Sequence, residues 1–199
     1  SAQLLLRSAP LPPLRYEPWK TKEAGETLDA AGNLGYPVLI NLWASWCEPC
    51  VTELTEWSRD ADRVRAAGLE VIAISVDRDD EQSGSDGGRA AAKRLLEELD
   101  FPFEAGFASP RLVELLQAVN DTLIYQDDHR QLPVPCSFLI DEEGRLAAIY
   151  KGPVSMDRVL DDVTAIESGE ATRAARSLPH GGKWLGTLRG YNTVKLVNR

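Results

Sequence analysis

The stretch that most constrains this chain runs from residue 37 to residue 64. Pro37-Val38-Leu39-Ile40-Asn41-Leu42-Trp43 is short and almost uniformly apolar, which is how a strand buried on both faces reads. From Pro49 to about Ala67 the period changes. Cys50, Leu54, Trp57, Ala61 and Val64 fall on one apolar stripe at helical spacing, and Gly68 is a natural stop. Between the two lies Cys47-Glu48-Pro49-Cys50. A strand hidden on both sides that runs straight into an amphipathic helix needs helices covering a sheet, so the chain is α/β.

The rest of the pattern extends this unit. Leu69 to Val76 is a second buried strand, and Asp77 to Gly88 is polar and Gly-rich, a loop. Arg89 to Leu99 reads as a short helix, and 101–107 as a brief strand or irregular segment. Ser109-Pro110 opens a further helix with Ser109 as N-cap and a stripe of Leu112, Leu116, Val119 and Leu123. Cys136 to Asp141 and Arg145 to Lys151 form a hairpin about Glu142-Glu143-Gly144. Ser155 to about Ser168 is the last helix. Strand–helix alternation implies parallel pairing and the hairpin adds antiparallel strands, giving a mixed central sheet with helices on both faces. Residues 1–34 hold Pro10, Pro12, Pro13 and Pro18 followed by Gly25 and Gly32, an extended or linker-like N-terminal extension. Residues 35–168 form the domain, and 169–199 a C-terminal extension.

The position of the cysteines carries the chemistry. A helix start has free N–H groups and a partial positive charge, and both stabilise a thiolate. Cys47 sits there, so an exposed thiol of lowered pKa is expected. Cys50 lies one turn further in, more buried and able to close a small disulfide ring. Cys47 is then the attacking thiolate and Cys50 the resolving thiol. Pro49 is tolerated because first-turn N–H groups have no intrahelical acceptor. Half of a zinc site is the competing reading of an isolated Cys-x-x-Cys. Zinc needs about four ligands, and Cys136, His129 and His180 are poorly spaced to complete the set. No metal and no organic cofactor is expected.

Asn41-Leu42-Trp43-Ala44-Ser45-Trp46-Cys47-Glu48-Pro49-Cys50, with Val134-Pro135-Cys136-Ser137-Phe138-Leu139-Ile140-Asp141 downstream, resembles the TlpA/ResA-like thiol–disulfide oxidoreductases of the thioredoxin superfamily over about residues 35–168. The resemblance implies a thioredoxin-like fold and a redox-active dithiol at Cys47 and Cys50. It implies a cis-proline at Pro135 facing that dithiol, with the backbone of Val134 pairing with substrate and Trp46 beside it. It implies a proton-handling role for Glu53, with Asn41 standing where cytoplasmic thioredoxins keep a buried aspartate. A plain surface helix residue is the other reading of Glu53. The partners implied are a disulfide-bearing protein substrate and an electron-donor protein, in an extracytoplasmic, periplasmic or membrane-tethered, setting. Three departures stand out. Thr55 replaces a helix-kinking proline, Cys136 replaces a threonine, and Pro- and Gly-rich sequence replaces an N-terminal hairpin.

Charge bears on direction. The net charge is −9, which argues against nucleic acid as the main partner. The last thirty residues carry Arg173, Arg176, Lys183, Arg189, Lys195 and Arg199 against Glu170 alone, leaving an acidic body. Glu48 and Glu53 beside Cys47 oppose its thiolate, which favours the disulfide and makes the reduced protein an electron donor. A reductant is therefore expected. Cys136 reads as a small buried hydrophobe or as a third thiol able to trap Cys50. The alternative to an enzyme is a redox-responsive or structural interaction module within a larger multidomain protein, whose further domains would flank the chain. A peroxidase is disfavoured because Ala44-Ser45-Trp46-Cys47 is not the Thr-x-x-Cys arrangement it normally uses.

Overall fold

The computed structural model describes residues 2–19, 28–29, 35–79, 88–123, 131–169 and 172–173. The strands are β1 (Ala2–Pro10), β2 (Arg15–Pro18), β3 (Leu28–Asp29), β4 (Val38–Trp43), β5 (Glu70–Ser75), β6 (Glu104–Ala108), β7 (Cys136–Ile140) and β8 (Arg145–Lys151). The helices are α1 (Glu48–Arg59), α2 (Ala61–Ala66), α3 (Gly88–Glu98), α4 (Pro110–Leu123) and α5 (Met156–Glu167). One eight-stranded sheet runs β1-β8-β7-β4-β5-β6-β2-β3. β4 pairs in parallel with β5, and β5 with β6. β7 lies antiparallel to β4, and β8 to β7. This is the mixed, helix-covered sheet of the thioredoxin-like fold.

β4 is central and wholly buried, and its pleat sorts the core. Leu39 and Trp43 join Cys47, Cys50, Leu54 and Trp57 of the α1 side, with residues of α3 and α5. Val38, Ile40 and Leu42 join Phe138, Ile140 and the stripe Leu112, Leu116 and Val119 of α4 on the other side. Trp43, Trp57 and Phe138 are fully enclosed. Side chains of this size contribute roughly 1.5–3 kcal/mol each through burial.

The N-terminal segment is extended, as its prolines require, but it does not behave as a linker. β1 adds to β8 at one edge of the sheet and β2 adds to β6 toward the other. Pro10 ends β1, an edge strand, and Pro18 ends β2 beyond its pairing with β3, so neither missing N–H lies between two partner strands. Gly106 allows this docking: a Cβ there would lie 2.4 Å from the Glu17 carbonyl oxygen and 2.5 Å from the Tyr16 ring. The tail beyond residue 173, with Trp184 and Tyr191, and the loop over residues 80–87 lie outside the described residues, as do His129 and His180.

The long helix expected after the dithiol is two helices. Thr55 does not disturb α1, because its hydroxyl donates back to the Val51 carbonyl at 2.7 Å and the helix runs on to Arg59. The break comes at Asp60, whose N–H reaches both the Glu56 and Trp57 carbonyls. Ala61 and Val64 stay buried across it, so the apolar stripe survives the change of axis. Ser109 and Ser155 cap α4 and α5 through Leu112 N–H at 3.1 Å and Arg158 N–H at 3.4 Å.

Candidate active site

β4 ends at Trp43 and the chain turns over Ala44-Ser45-Trp46, closed by Cys47 N–H to the Ala44 carbonyl at 3.1 Å. Cys47 is the N-cap of α1 and is joined to Cys50 in a disulfide, with the Cα atoms 5.2 Å apart. The Cys50 N–H donates to the Cys47 carbonyl at 2.9 Å and lies 3.3 Å from its sulfur. The Cys50 N–H is thus placed to donate to a Cys47 thiolate at the helix start. Pro49 occupies the first turn without loss of a helical bond.

In this disulfide state Cys47 is 5% exposed and Cys50 not at all, while Trp46 beside them is 72% exposed. The open thiol expected from sequence is therefore enclosed here. The disulfide folds Cys47 back against the start of α1, within the cluster of Trp43, Ala44 and Trp57. The large accessible group next to the dithiol is the Trp46 indole.

Glu53 is no surface residue. It lies one turn beyond Cys50 on the same face of α1 and is 3% exposed. One carboxylate oxygen accepts from Val154 N–H at 2.7 Å and the other from Asn41 Nδ2 at 3.0 Å. Asn41 Nδ2 also donates to Ser137 Oγ at 2.9 Å. The side-chain oxygen of Asn41, Oδ1, has no partner among the described residues. Burial pushes the Glu53 carboxyl up to about 7, the bonds from Val154 and Asn41 offset part of that rise, and nearby Glu56 adds to it. A buried acid of this strength exchanges protons near neutrality.

The peptide bond between Val134 and Pro135 is cis. Pro135 is buried at the head of β7, and its carbonyl accepts Gly152 N–H at 2.9 Å. Val134 is half-buried against the cluster that contains both disulfide cysteines. The pleat of β7 then separates the next two residues. Ser137 reaches Asn41 on the dithiol side, whereas Cys136 lies with Leu42, Phe138 and Ile140 on the α4 side. Cys136 is a free thiol with no exposure, and burial pushes it up to about 12. For a thiol meant to meet Cys50 this is the opposite face of the sheet.

One residue here escaped the sequence reading. Asp77 was expected to open a solvated loop. Instead it is 5% exposed and binds Ser45 and Ser75. The available signal was its position at the carboxyl end of a buried strand parallel to β4, where loops of α/β sheets gather functional groups.

Comparison with known proteins agrees with this geometry. The AhpC/TSA family model matches residues 12–149. The thiol–disulfide oxidoreductase ResA of Bacillus subtilis (strain 168) is 22% identical over 148 residues, 74% of this chain and 71% of that protein. ResA of Bacillus thuringiensis subsp. konkukian is 24% identical over 135 residues, and the chain spans 66% of its length. Among solved structures, a thioredoxin-family thiol:disulfide interchange protein from Chlorobium tepidum superposes with a TM-score of 0.59 at 20% identity. That match covers 79% of this chain and 95% of the other. A DsbF homologue from Corynebacterium diphtheriae gives 0.60 at 16% identity, covering 82% and 91%. At those identities the superpositions speak for the fold. With a family match that runs from just before β2 into β8, the chain belongs to the AhpC/TSA family, as a thioredoxin-fold thiol–disulfide oxidoreductase.

Proposed function

We propose that the protein reduces protein disulfides with Cys47 as nucleophile, Cys50 as resolving thiol and Glu53 as the proton-handling group. The observation that carries this reading is the Cys47–Cys50 pair at the start of α1 with a buried carboxyl one turn behind it. In the reduced state the Cys47 thiolate attacks one sulfur of the substrate disulfide. A mixed disulfide forms and the other substrate sulfur leaves as a thiolate. Cys50 gives its proton to Glu53 and attacks Cys47. The Cys47–Cys50 disulfide closes and the second substrate sulfur leaves. Two electrons pass to the substrate, and a dithiol electron donor restores them. No organic cofactor enters the scheme.

Trp46, exposed beside the dithiol, and the Val134 backbone ahead of the cis-proline form the surface on which an extended substrate segment rests. Carboxylates near the reacting sulfur, Glu48 in the first turn of α1 and Glu53 behind it, favour the disulfide state and so favour the reducing direction. We place the protein outside the cytoplasm, on its likeness to ResA. Among the described residues no helix is long and apolar enough to cross a membrane.

The test is turnover of a model disulfide such as insulin by the reduced protein. Cys47→Ser should abolish it, and Cys50→Ser should accumulate a mixed disulfide through Cys47. Turnover that Cys47→Ser leaves unchanged would overturn the reading in favour of a redox-responsive binding module.

A further inference from the structure

Asp77 sits just past the end of β5, where it meets the turn that delivers Cys47. Its Oδ2 accepts the Ser45 backbone N–H at 2.8 Å and the Ser75 hydroxyl at 2.7 Å, and its Oδ1 accepts the Ser45 hydroxyl at 2.8 Å. The Asp77 N–H returns to Ser75 Oγ at 3.0 Å. Next to it, Val76 N–H donates to the Trp43 carbonyl at 2.8 Å. Both Ser75 and Asp77 are buried. A buried carboxylate with three donors on its two oxygens is held in one place, and it holds its donors in turn.

Ser45 is the second residue of the turn Ala44-Ser45-Trp46-Cys47. Its N–H and its hydroxyl both donate to Asp77. The following residues are the exposed Trp46 and the N-cap Cys47, whose sulfur faces Cys50 N–H. That sulfur keeps its place at the helix start only while the turn keeps its shape. The disulfide helps to hold the turn in the oxidised protein, and that tie is gone in the reduced one.

We infer that Asp77 is a positioning residue for the dithiol: through Ser45 it fixes the turn that keeps the reduced Cys47 sulfur at the start of α1. It acts as a hydrogen-bond acceptor, not as a charge. This rests on the reading of Cys47 as the reactive thiol.

The two modes of action predict opposite signs. A carboxylate acting only by its charge opposes the thiolate, so removing it by any substitution lowers the Cys47 midpoint. A carboxylate that positions the turn raises the midpoint when its acceptors are lost, because the sulfur leaves the helix N–H groups. The experiment is the pH dependence of Cys47 alkylation by iodoacetamide in the reduced full chain, read by peptide mass spectrometry. Asp77→Ala should raise the midpoint by about half a unit or more, the sign set by loss of the helix-start environment. Asp77→Asn keeps one oxygen for Ser45 N–H and Ser75, and an amide that the Ser45 hydroxyl can accept. It should stay at or below the wild-type midpoint. Ser45→Ala, which retains the backbone bond, should change it less than Asp77→Ala does. If circular dichroism shows Asp77→Ala unfolded, Asp77→Leu, close to Asp in shape and without an acceptor, takes its place with the same expected direction. A midpoint at or below wild type in the acceptor-deleting variant overturns the inference. So does a rise in Asp77→Asn as large as in that variant. Wild-type failure to reduce insulin is a separate outcome that bears on the proposed function and not on these midpoints.

Discussion

The two faces of the central sheet are built from alternate residues of the same strands, yet they differ in kind. On the α4 face, Ile40, Leu42, Cys136, Phe138 and Ile140 pack with α4 in an apolar layer. On the α1 face, the same strands contribute Asn41 and Ser137, and these meet Glu53 in a buried polar cluster behind the dithiol. A buried polar group is costly unless it is hydrogen-bonded, and here Glu53, Asn41 and Ser137 are bonded to one another or to Val154. Both layers bury large apolar side chains, but only the α1 layer also holds a hydrogen-bonded ionisable group on the dithiol side. The same alternation explains why Cys136 and Ser137, adjacent in sequence, have different neighbours.

The largest expected break of this comparison lies on the apolar face. Phe138→Ala should cost about 3–5 kcal/mol in urea unfolding. The insulin-reducing activity of the molecules that remain folded should be unchanged. A loss of specific activity without loss of stability would show that the two faces are not divided in this way.

Glu53 should show the opposite behaviour. Its folded-state pKa is about 7 against an ordinary 4.5. The folded state therefore binds the proton more tightly than the unfolded chain does. The benefit of the neutral acid is fully present below about 4.5 and is lost as pH rises toward 7. Between pH 4 and pH 8, the stability of Glu53→Gln relative to wild type should improve by up to about 3 kcal/mol, the equivalent of that shift. The same variant should slow closure of the Cys47–Cys50 disulfide, measured by quenched-flow trapping of the mixed disulfide. A pH-independent stability difference would contradict the burial of an ionisable acid at this place.

Cys136 sharpens the contrast with smaller effects. Cys136→Ser places a hydroxyl in the apolar layer and should cost roughly 1–3 kcal/mol, and Cys136→Ala about 1 kcal/mol. Neither should alter disulfide reduction. In the native protein at pH 8 the thiol should resist alkylation until the chain unfolds, since it is enclosed and pushed up to about 12.

Much of this was legible before the structure. The run Val38–Trp43, the stripe from Cys50 to Val64 and the Gly144 hairpin are strong local signals, and each forms where its pattern lies, although the stripe is carried by two helices, α1 and α2, and not by one. The Cys-x-x-Cys at a strand-to-helix junction marked the site. What local pattern does not carry is which face a residue takes relative to a distant partner. Cys136 is next to Pro135 in sequence, which by itself suggests proximity to the dithiol, but the pleat of β7 places it on the α4 side. Glu53 has the composition of a surface helix residue, and only the approach of Val154 and Asn41 buries it. The Asp77 bonds join residues thirty-two apart, Ser45 and Asp77, through two parallel strands. β1 and β2 end in prolines, which read as linker residues when no partner strand is in view.

The most direct measurement is a redox titration of the whole protein, with each of the three cysteines assigned by mass spectrometry at every potential. The account predicts one reversible two-electron couple, with Cys47 and Cys50 interconverting between dithiol and disulfide and Cys136 a thiol throughout. A disulfide that includes Cys136, or a Cys47–Cys50 bond that does not open and close reversibly, would contradict it.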